Sequence, residues 1–230
     1  MKLSKRLQAV ASLVKEGKCV ADIGTDHGYI PIYLVESGIC EKAIAMDVNK
    51  GPLQRAKEHI KENGLSEKIE TRLSDGLAAL CPGECDCAVI AGMGGGLVIK
   101  ILEEGATVAK TMTELILQPQ SELEKVRFYL QENQYQVVEE EMVEEDGKYY
   151  PMMRVKWGNR DTYETIELLY GKYLIQKKHP VLLQYLDKEI RTKTSILEQL
   201  MQQDSEKNVG RIEELRKELA HARAAYLCCL

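Results

Sequence analysis

One stretch of the chain, residues 18–29, limits the possible folds more than any other. It reads Lys-Cys-Val-Ala-Asp-Ile-Gly-Thr-Asp-His-Gly-Tyr, an apolar run that breaks at Gly24 and Gly28 and resumes as an apolar helical pattern from Ile30. A strand, a glycine turn and a helix in this order form nucleotide pockets in α/β folds, because glycine lets the backbone approach a ligand closely. The stretch therefore predicts an α/β fold with a ligand pocket beyond the carboxyl end of the first strand.

The spacing of the glycines indicates which ligand this turn would bind. A dinucleotide site needs Gly-x-Gly-x-x-Gly with a pyrophosphate at the helix N-terminus, but Asp26 stands where the second glycine would be. A carboxylate at that position would repel an anion. Asp22 and Asp26 instead favour a cationic ligand without phosphate, such as S-adenosylmethionine, which carries a sulfonium and an ammonium group. A tight turn that binds nothing is the alternative interpretation.

The composition limits the number of domains and the cellular compartment. The chain has 230 residues, of which 44% are hydrophobic, enough for one full core and a smaller appendage. It contains no apolar run of about 18 residues, the length that would suggest a membrane span. Charged residues interrupt the apolar positions near the N-terminus, unlike the core of a signal peptide. We therefore expect a cytoplasmic protein with no membrane partner.

The cysteines argue against both a disulfide framework and a metal site. They number seven and are scattered, which favours reduced thiols. Cys81, Cys85 and Cys87 lie close together in the sequence. Their spacing does not suit a metal, because neighbouring strand residues face opposite sides and no second Cys or His pair follows. We therefore predict no metal.

Acidic residues follow the second and third predicted strands. The strand over residues 42–48 ends near Asp47, whose carboxylate could accept hydrogen bonds from two ribose hydroxyls. The strand over residues 68–73 is followed by Asp75 and Gly76, where an acid could accept the amino group of a bound adenine. Both acids could also be simple turn residues.

Two further strands end in loops with unusual composition. The strand over residues 86–91 runs into Gly-Met-Gly-Gly-Gly, which starts at Gly92 and predicts a flat loop lining a pocket for a planar substrate. The strand over residues 113–117 ends at Gln118. Ser121-x-x-Glu124 then has the pattern of a capping box that opens a helix.

The last part of this region predicts an antiparallel hairpin. Two β-rich runs, Tyr135–Glu145 and Lys148–Trp157, are joined at Asp146-Gly147, a favoured hairpin turn. Five βα units followed by an antiparallel hairpin describe the Rossmann-like, seven-stranded sheet of class I methyltransferases. We therefore predict an α/β methyltransferase domain over residues 1–158.

The motifs in their order resemble the TrmK family, bacterial tRNA (adenine(22)-N1)-methyltransferases that use S-adenosylmethionine. The resemblance rests on Asp-Ile-Gly-Thr-Asp-His-Gly-Tyr, Asp47, Ser-Asp-Gly, Ala-Gly-Met-Gly-Gly-Gly, Leu-Gln-Pro-Gln and Glu-Glu-Asp-Gly-Lys-Tyr-Tyr, and it covers residues 1 to about 158. It implies S-adenosylmethionine as cofactor, tRNA as partner and adenine 22, flipped out of the D-arm, as target. The remaining residues are similar to the family only in forming a helical extension.

The chemistry of adenine N1 decides which residues are needed. N1 is accessible only in an unpaired base, and it attacks the sulfonium methyl without losing a proton first, so that neither a general base nor a nucleophilic cysteine is required. Residues at the ends of strands one, four and five are the predicted catalytic set: Asp26, His27, Tyr29, Met93 and Gln118. His27 could instead cap the following helix, and Tyr149 and Tyr150 of the hairpin could reach the pocket or simply pack.

The predicted cofactor-binding residues combine the glycine turns with the acids at the strand ends: Asp22, Gly24, Gly28, Asp47, Asp75, Gly76 and Gly92. Two alternatives to an RNA methyltransferase stay open on the sequence. One is a small-molecule methyltransferase with the same fold. The other is a non-catalytic nucleotide-binding module that recruits a partner through its helical tail.

Basic residues cluster in two segments although the net charge is −5. One segment is residues 1–18 and the other is residues 172–193. Such surfaces could hold a phosphate backbone, although a charged run is more often a solvated face. The predicted RNA contacts are Lys5, Arg6, Lys177, Lys178, Arg191 and Lys193.

The tail, residues 159–230, predicts helices. A helix through Ile166 and Tyr173 should break at His179-Pro180. Heptad spacing then predicts two longer helices separated by a polar turn over residues 204–210. Their apolar positions are Leu183, Leu186, Ile190, Leu197 and Leu200, then Ile212, Leu215, Leu219, Ala222 and Tyr226. We expect a coiled-coil hairpin within a monomer, with a dimeric coiled coil as the alternative.

Overall fold

The chain forms two compact units. The computed structural model describes residues 3–15, 17–202 and 205–230, with backbone alone for residues 205–207. The first unit ends at Thr162, and the second is Tyr163–Leu230. This division lies four residues later than the boundary expected from the sequence.

The first unit is built on a seven-stranded sheet with the order β3-β2-β1-β4-β5-β7-β6. Neighbouring strands among the first five are parallel, and β7 is antiparallel to both β5 and β6. The strands are β1 Gly17–Ile23, β2 Cys40–Asp47, β3 Ile69–Leu73, β4 Cys87–Met93, β5 Glu114–Pro119, β6 Tyr135–Glu145 and β7 Lys148–Trp157. The predicted methyltransferase architecture is confirmed.

Helices cover this sheet and leave its central strands buried. They are α1 Lys5–Leu13, α2 Tyr29–Glu36, α3 Lys50–Glu62, α4 Gly95–Glu104, α5 Ala106–Ala109 and α6 Leu123–Glu132. All six residues of β5 are buried. Strands covered on both faces are mainly apolar, which is why their central residues, such as Leu115–Leu117 of β5, appear in the sequence as continuous apolar runs.

The predicted capping box at Ser121 is wrong. Helix α6 begins at Leu123 behind Glu122, whose backbone is left-handed and whose side chain makes no capping hydrogen bond. The Ser121 hydroxyl instead accepts a hydrogen bond from the backbone N–H of Gly95, at 3.3 Å. A donor 26 residues away along the chain therefore occupies the oxygen that the local pattern assigned to the helix.

The hairpin turn is the one that the sequence predicts. Asp146 and Gly147 have φ values of 52° and 75°, as required at the two central positions of a type I′ turn. Helix α1 contacts the arm of this hairpin, where the Lys5 ammonium donates to the carbonyl oxygen of Glu144 at 2.9 Å. Lys5 is therefore held close to the hairpin by its side chain.

The second unit is helical. Its helices are α7 Thr165–Tyr170, α8 Lys172–Gln176, α9 Pro180–Gln202 and α10 Ser205–Cys228. The helix predicted through Tyr173 is split at Gly171, which has a φ of 96°. Helix α10 returns along α9, because Lys193 contacts Glu218, and Cys229 near its end lies 3.9 Å from the carbonyl oxygen of Ile175.

Three details of the predicted tail are wrong. Leu182 is buried in α9, whereas Leu183 is half-buried. Ala225 is fully buried in α10 in place of Tyr226. Residues 205–210 are helical and not a turn, while Asp204 lies outside the described residues. Helices with 3.6 residues per turn drift from a strict heptad, so that the buried face moves by one residue near its ends.

Candidate active site

An open cleft of about 310 Å³ lies at the carboxyl ends of β1 and β4. Its walls are formed by α1, by the end of β1 and the turn that leads into α2, by the end of β4 and by the residue that follows β5. The lining residues are Arg6, Leu7, Asp22, Gly24, Thr25, Asp26, His27, Tyr29, Ile30, Ala91, Gly92 and Gln120. Seven predicted site residues thus meet here: Arg6, Asp22, Gly24, Asp26, His27, Tyr29 and Gly92.

The turn after β1 has a backbone that only glycine adopts easily. Gly24 and Gly28 have φ values of 76° and 72°. The N–H groups of Gly24 and Thr25 both donate to the carbonyl oxygen of Met46, at 2.8 and 2.9 Å, which ties the turn to the end of β2. A Cβ at Gly28 would lie 3.3 Å from Ala56 Cβ, so this glycine brings α3 close to the turn.

Two buried carboxylates lie beneath this turn. Asp22 is 4% exposed and Asp47 is 9% exposed. Burial raises the pKa of Asp22 to about 6, and the neighbouring charge of Asp47 adds to the increase. Asp47 Oδ1 accepts the backbone N–H of Asn49 at 2.8 Å, which orients the carboxylate. A cation bound above these two acids would relieve their mutual repulsion.

The Thr25 hydroxyl lies beside the buried acids of this cleft. Thr25 lines the cleft and is 7% exposed, and its side chain hydrogen-bonds to Asp22, which opposes the effect of burial on the pKa of that carboxyl. The acids and the hydroxyl at this turn therefore suit a ligand that combines positive charge with polar groups.

At the cleft mouth, Asp26 is in contact with cationic and aromatic side chains. Its backbone is left-handed, with a φ of 43°, and its Oδ1 accepts a hydrogen bond from Arg55 Nη2 at 2.7 Å. His27 Nε2 lies 3.6 Å from Asp26 Oδ2. His27 does not cap α2, because Gly28 is the N-cap residue. The carboxylate is therefore held from two sides while its residue remains exposed to solvent.

Three rings form a cluster beside this carboxylate. The ring centroids of His27, Tyr29 and His59 lie 5.1 to 5.6 Å apart, with interplanar angles of 8° to 18°. His59 Nδ1 donates to the carbonyl oxygen of His27 at 2.9 Å, because a carbonyl can only accept. Tyr29 is 37% exposed. The cluster offers aromatic surface for stacking next to a negative charge.

Gln118 orients other groups and does not line the cleft. It is fully buried, and its Oε1 accepts hydrogen bonds from Arg6 Nη1 at 3.0 Å and from the backbone of Gly92 at 3.2 Å. The Arg6 guanidinium also lies 5.6 Å from the ring centroid of Tyr150. Gln118 and Tyr150 therefore fix Arg6 at the wall of the cleft, where Gln120 and not Gln118 is exposed to a ligand.

The glycine-rich segment Gly92–Gly96, which joins the end of β4 to α4, has a different role from the predicted one. Of its residues, only Gly92 lines the cleft. A Cβ at Gly95 would meet the carbonyl oxygen of Ser121, and the Gly96 N–H donates to the Glu122 carboxylate at 3.1 Å. Two of the glycines therefore allow close packing against the β5–α6 turn. Met93 lies with its terminal methyl against Gly24, where a side chain would require this methionine to move and would be strained by the φ of 76°.

Asp75 and Gly76 lie apart from this cleft, in the loop after β3. They line a smaller cavity of about 110 Å³, next to Ile101 and Glu104. Gly76 has a φ of 55°, and a Cβ there would lie 3.1 Å from Ile101. Asp75 is exposed and lies 3.9 Å from Lys100 Nζ. The proposed adenine contact therefore stays a prediction.

The predicted RNA contacts differ in their surroundings. Lys193 is held between Glu189 and Glu218, at 2.6 and 2.7 Å, and so links α9 to α10. Arg191 is exposed and pairs with Asp187 one turn away at 3.0 Å. Lys177 and Lys178 are exposed at the end of α8. Lys193 is thus committed to the helix pair, and the other cations of this unit remain candidates.

Sequence reasoning missed four polar residues in or beside the cleft: Thr25, Arg55, His59 and Gln120. Arg55 and His59 are four residues apart on α3 and therefore point from the same face, which lies over the glycine turn. This spacing shows in the sequence that the two side chains share one face of α3. No local pattern shows that this face lies over the glycine turn. Among the described residues, no group of three or more His, Cys, Asp or Glu side chains could hold a metal, and none of the described helices combines the length and apolar character needed to cross a membrane.

Comparisons with known proteins agree with this architecture. Residues 3–153 match the family model described as a methyltransferase domain. The chain is 39% identical over 221 residues to the tRNA (adenine(22)-N(1))-methyltransferase of Bacillus subtilis, which covers 94% of this chain and 93% of the relative.

Solved structures give the same result. The crystal structure of the B. subtilis m1A22 tRNA methyltransferase TrmK matches with a TM-score of 0.86 at 36% identity, over 98% of this chain and 99% of that one. The structure of M. capricolum TrmK in complex with S-adenosyl-homocysteine matches with a TM-score of 0.87 at 28% identity, over the full length of both chains. Because the identity to the B. subtilis relative and the match to these structures extend over nearly the whole length, the chain belongs to the TrmK family of methyltransferases.

Proposed function

We propose that this protein transfers a methyl group from S-adenosylmethionine to N1 of an unpaired adenine in tRNA, adenine 22 of the D-arm, in the cytoplasm. The observation that carries the proposal is the near full-length identity to the B. subtilis relative named for this reaction. The acidic, glycine-lined cleft supports it, because it suits a cationic cofactor and opens beside an aromatic cluster.

The residues that would hold the cofactor follow from the chemistry of the turn. Asp22 and Thr25 would face its charged methionine end, and Asp47 would accept hydrogen bonds from its ribose hydroxyls. Gly24 keeps the turn free of side chains, so that the backbone can approach the ligand. When bound, S-adenosylmethionine supplies an electrophilic methyl group on sulfur.

The residues at the cleft mouth would hold the base. Tyr29, with His27 and His59 behind it, offers a ring surface on which a flipped adenine can stack. Asp26 would accept a hydrogen bond from the adenine amino group and would stabilise the positive charge that methylation places on the ring. Arg55 orients this carboxylate through its hydrogen bond to Oδ1. These residues position the base and stabilise charge, and no proton needs to be removed before N1 reacts.

One experiment tests the proposed function directly. Purified protein, unmodified bulk tRNA and S-adenosylmethionine carrying a labelled methyl group are incubated, and the tRNA is digested to nucleosides. We expect the label in 1-methyladenosine, and we expect a tRNA in which adenine 22 is replaced to take up none. Label in another nucleoside, or none in RNA, would contradict the proposal.

Cofactor affinity should depend strongly on Asp47. Its carboxylate is buried and preoriented by Asn49, and loss of two charge-assisted hydrogen bonds costs about 2 to 3 kcal/mol. We expect Asp47→Ala to weaken S-adenosylmethionine binding about 30- to 150-fold in calorimetry. An exposed carboxylate of the same unit, Glu62→Ala, serves as the control. Wild-type affinity in the Asp47 variant would remove this residue from the cofactor site.

Cofactor affinity should also fall as the solution becomes more acidic. Because burial raises the pKa of Asp22 to about 6, its carboxylate is ionised at pH 7.5 and becomes protonated as the pH drops through that value. Only the ionised form attracts a cation, so affinity should decrease about tenfold between pH 7 and pH 5. In Asp22→Asn, binding measured by calorimetry should be weaker and flat over this range. An equally steep profile in that variant would assign the pH dependence to another group.

The helical unit should contribute to RNA binding and not to chemistry. Lys177, Lys178 and Arg191 are its exposed predicted contacts. Each phosphate contact adds about 0.7 to 0.9 to the logarithmic salt slope, so that replacing all three by alanine should weaken tRNA binding and flatten its salt dependence. Cofactor affinity should not change. Lys61→Ala, on the exposed side of α3, is the control, and an unchanged salt slope in the triple variant would assign these lysines and the arginine to another role.

A further inference from the structure

Two thiols meet at the opposite end of the sheet from the proposed active site. Cys19 belongs to β1, and Cys85 lies two residues before the start of β4. Their sulfur atoms are 3.0 Å apart, although both cysteines are free. This separation is short enough for a bond to form between the two sulfur atoms with little movement of the backbone.

The backbone holds this pair in place. Asp86 Oδ2 accepts hydrogen bonds from the N–H groups of Lys18 and Cys19, at 2.8 and 2.9 Å. The Asp86 N–H in turn donates to the carbonyl oxygen of Cys19 at 2.9 Å. On the other side, Glu84 is fixed by Arg72 Nη2 at 2.9 Å. Three hydrogen bonds between Asp86 and residues 18–19, and the ion pair of Glu84 with Arg72, therefore keep Cys85 next to Cys19.

The two thiols differ in access to solvent, which gives them different roles. Cys19 is half-buried and lines an open cleft of about 410 Å³, whereas Cys85 is 4% exposed. The thiol of Cys85 hydrogen-bonds to Cys19 and lowers the pKa of the Cys19 thiol, against the effect of burial. Cys19 is thus the thiol that a small reagent can reach. Cys85 is placed to attack the sulfur of Cys19 afterwards and to release the bound half of the reagent.

We propose that Cys19 and Cys85 form a reversible disulfide by exchange with a low-molecular-weight disulfide that enters this cleft. The Cys19 thiolate attacks one sulfur of the reagent and expels the other half as a thiolate. Cys85 then attacks the Cys19 sulfur and expels the second half. The protein loses two hydrogen atoms and is oxidised by two electrons, and the reagent is reduced to two thiols. The assignment is independent of the proposed RNA substrate.

The product would stabilise the first unit. The bond would close a loop of more than sixty residues between β1 and β4, which restricts the unfolded chain more than the folded one. We expect the midpoint of thermal unfolding to rise by about 5 to 15 °C on oxidation and to return to its original value on reduction.

Peptide mapping tests the proposal. The full-length reduced protein is treated with 2-hydroxyethyl disulfide, a small neutral probe chosen because the cleft carries charges of both signs, and is then alkylated in denaturant. Cleavage before aspartate separates Cys19 from Cys40, and Cys85 from Cys87, because Asp22 and Asp86 lie between them. We expect residues 1–21 to be linked to residues 75–85, with a mass two hydrogen atoms below the sum of the first peptide and the second peptide alkylated at Cys81.

Variants identify the two sulfur atoms. Cys19→Ser and Cys85→Ser should abolish the linked peptide and the thermal shift, and Cys19→Ser should also prevent capture of the probe on residues 1–21. Cys81 lies in the same fragment as Cys85, so Cys81→Ser is the matched control and should retain both. Three results would overturn the proposal. They are a probe adduct that stays on Cys19 in the wild-type protein, a disulfide between Cys19 and any other fragment, and a disulfide at Cys85 that still forms in Cys19→Ser.

Discussion

Replacing Asp26 by asparagine is expected to lower kcat for methyl transfer between tenfold and a thousandfold while the affinity for S-adenosylmethionine stays unchanged. The carboxylate lies at the cleft mouth beside the ring cluster, where it would face the base and not the cofactor. A positioned charge that stabilises the reacting state contributes an effect of about this size. Asparagine is the informative substitution because it tolerates the left-handed backbone of residue 26, so that geometry is kept and only charge is lost.

The hairpin offers a matched control for this substitution. Asp146 has a similar φ of 52° and is exposed in a turn far along the chain, so Asp146→Asn makes the same chemical change in the same backbone conformation. Its kcat should equal that of the wild-type protein. Steady-state kinetics with tRNA and calorimetry with the cofactor give the two quantities. If Asp26→Asn lost cofactor binding and turnover in proportion, Asp26 would belong to the cofactor site.

Replacing Arg127 by methionine is expected to destabilise the methyltransferase unit by about 3 to 5 kcal/mol, a decrease of the thermal midpoint on the order of 10 °C. Arg127 and Glu140 are each 1% exposed, and Arg127 donates to Glu140 Oε1 through Nε at 3.0 Å and Nη2 at 2.9 Å. Removing the guanidinium leaves a carboxylate buried without its cation. That cost is larger than the net contribution of the intact pair, because both charges lost their hydration on folding.

Two further variants separate these contributions. The double variant Arg127→Met, Glu140→Met buries no charge and should recover most of the lost stability, to a midpoint well above that of the single variant. Arg160 pairs with Glu132 at 2.8 Å on the surface, and Arg160→Met should leave the midpoint unchanged because water screens this pair. A double variant as unstable as Arg127→Met would show that packing of the arginine, and not its charge, supports the fold.

Several features were predictable because their causes are local. The hairpin could be placed residue by residue, since Asp146-Gly147 has the chemistry that a tight turn requires and the flanking runs favour strands. The central parallel strands β1, β4 and β5 contain continuous apolar runs because helices cover both faces of the sheet. Gly24 and Gly28 could be recognised as a turn after β1, since positive φ values such as theirs exclude most other residues.

In two places the folded chain supplies a partner that the local pattern does not show. Ser121 follows a capping pattern, yet its hydroxyl receives the Gly95 N–H from a loop that only the folded sheet brings near. Lys193 has the charge of an RNA contact, but α10 places Glu218 against it. In both cases the sequence pattern was present and a tertiary partner took the group.

The sequence by itself determined the order of the strands along the chain, the glycine turn and the acids that follow it, because backbone conformation and burial on both faces leave direct marks on residue type. Tertiary structure decided which side chains meet. Arg55 and His59 reach Asp26 and His27 only because Gly28 lets α3 approach the turn, and Gln118 turns to Arg6 and not to the cleft. Such contacts depend on the rotation of whole helices and strands about their axes, and no short stretch of sequence carries that information.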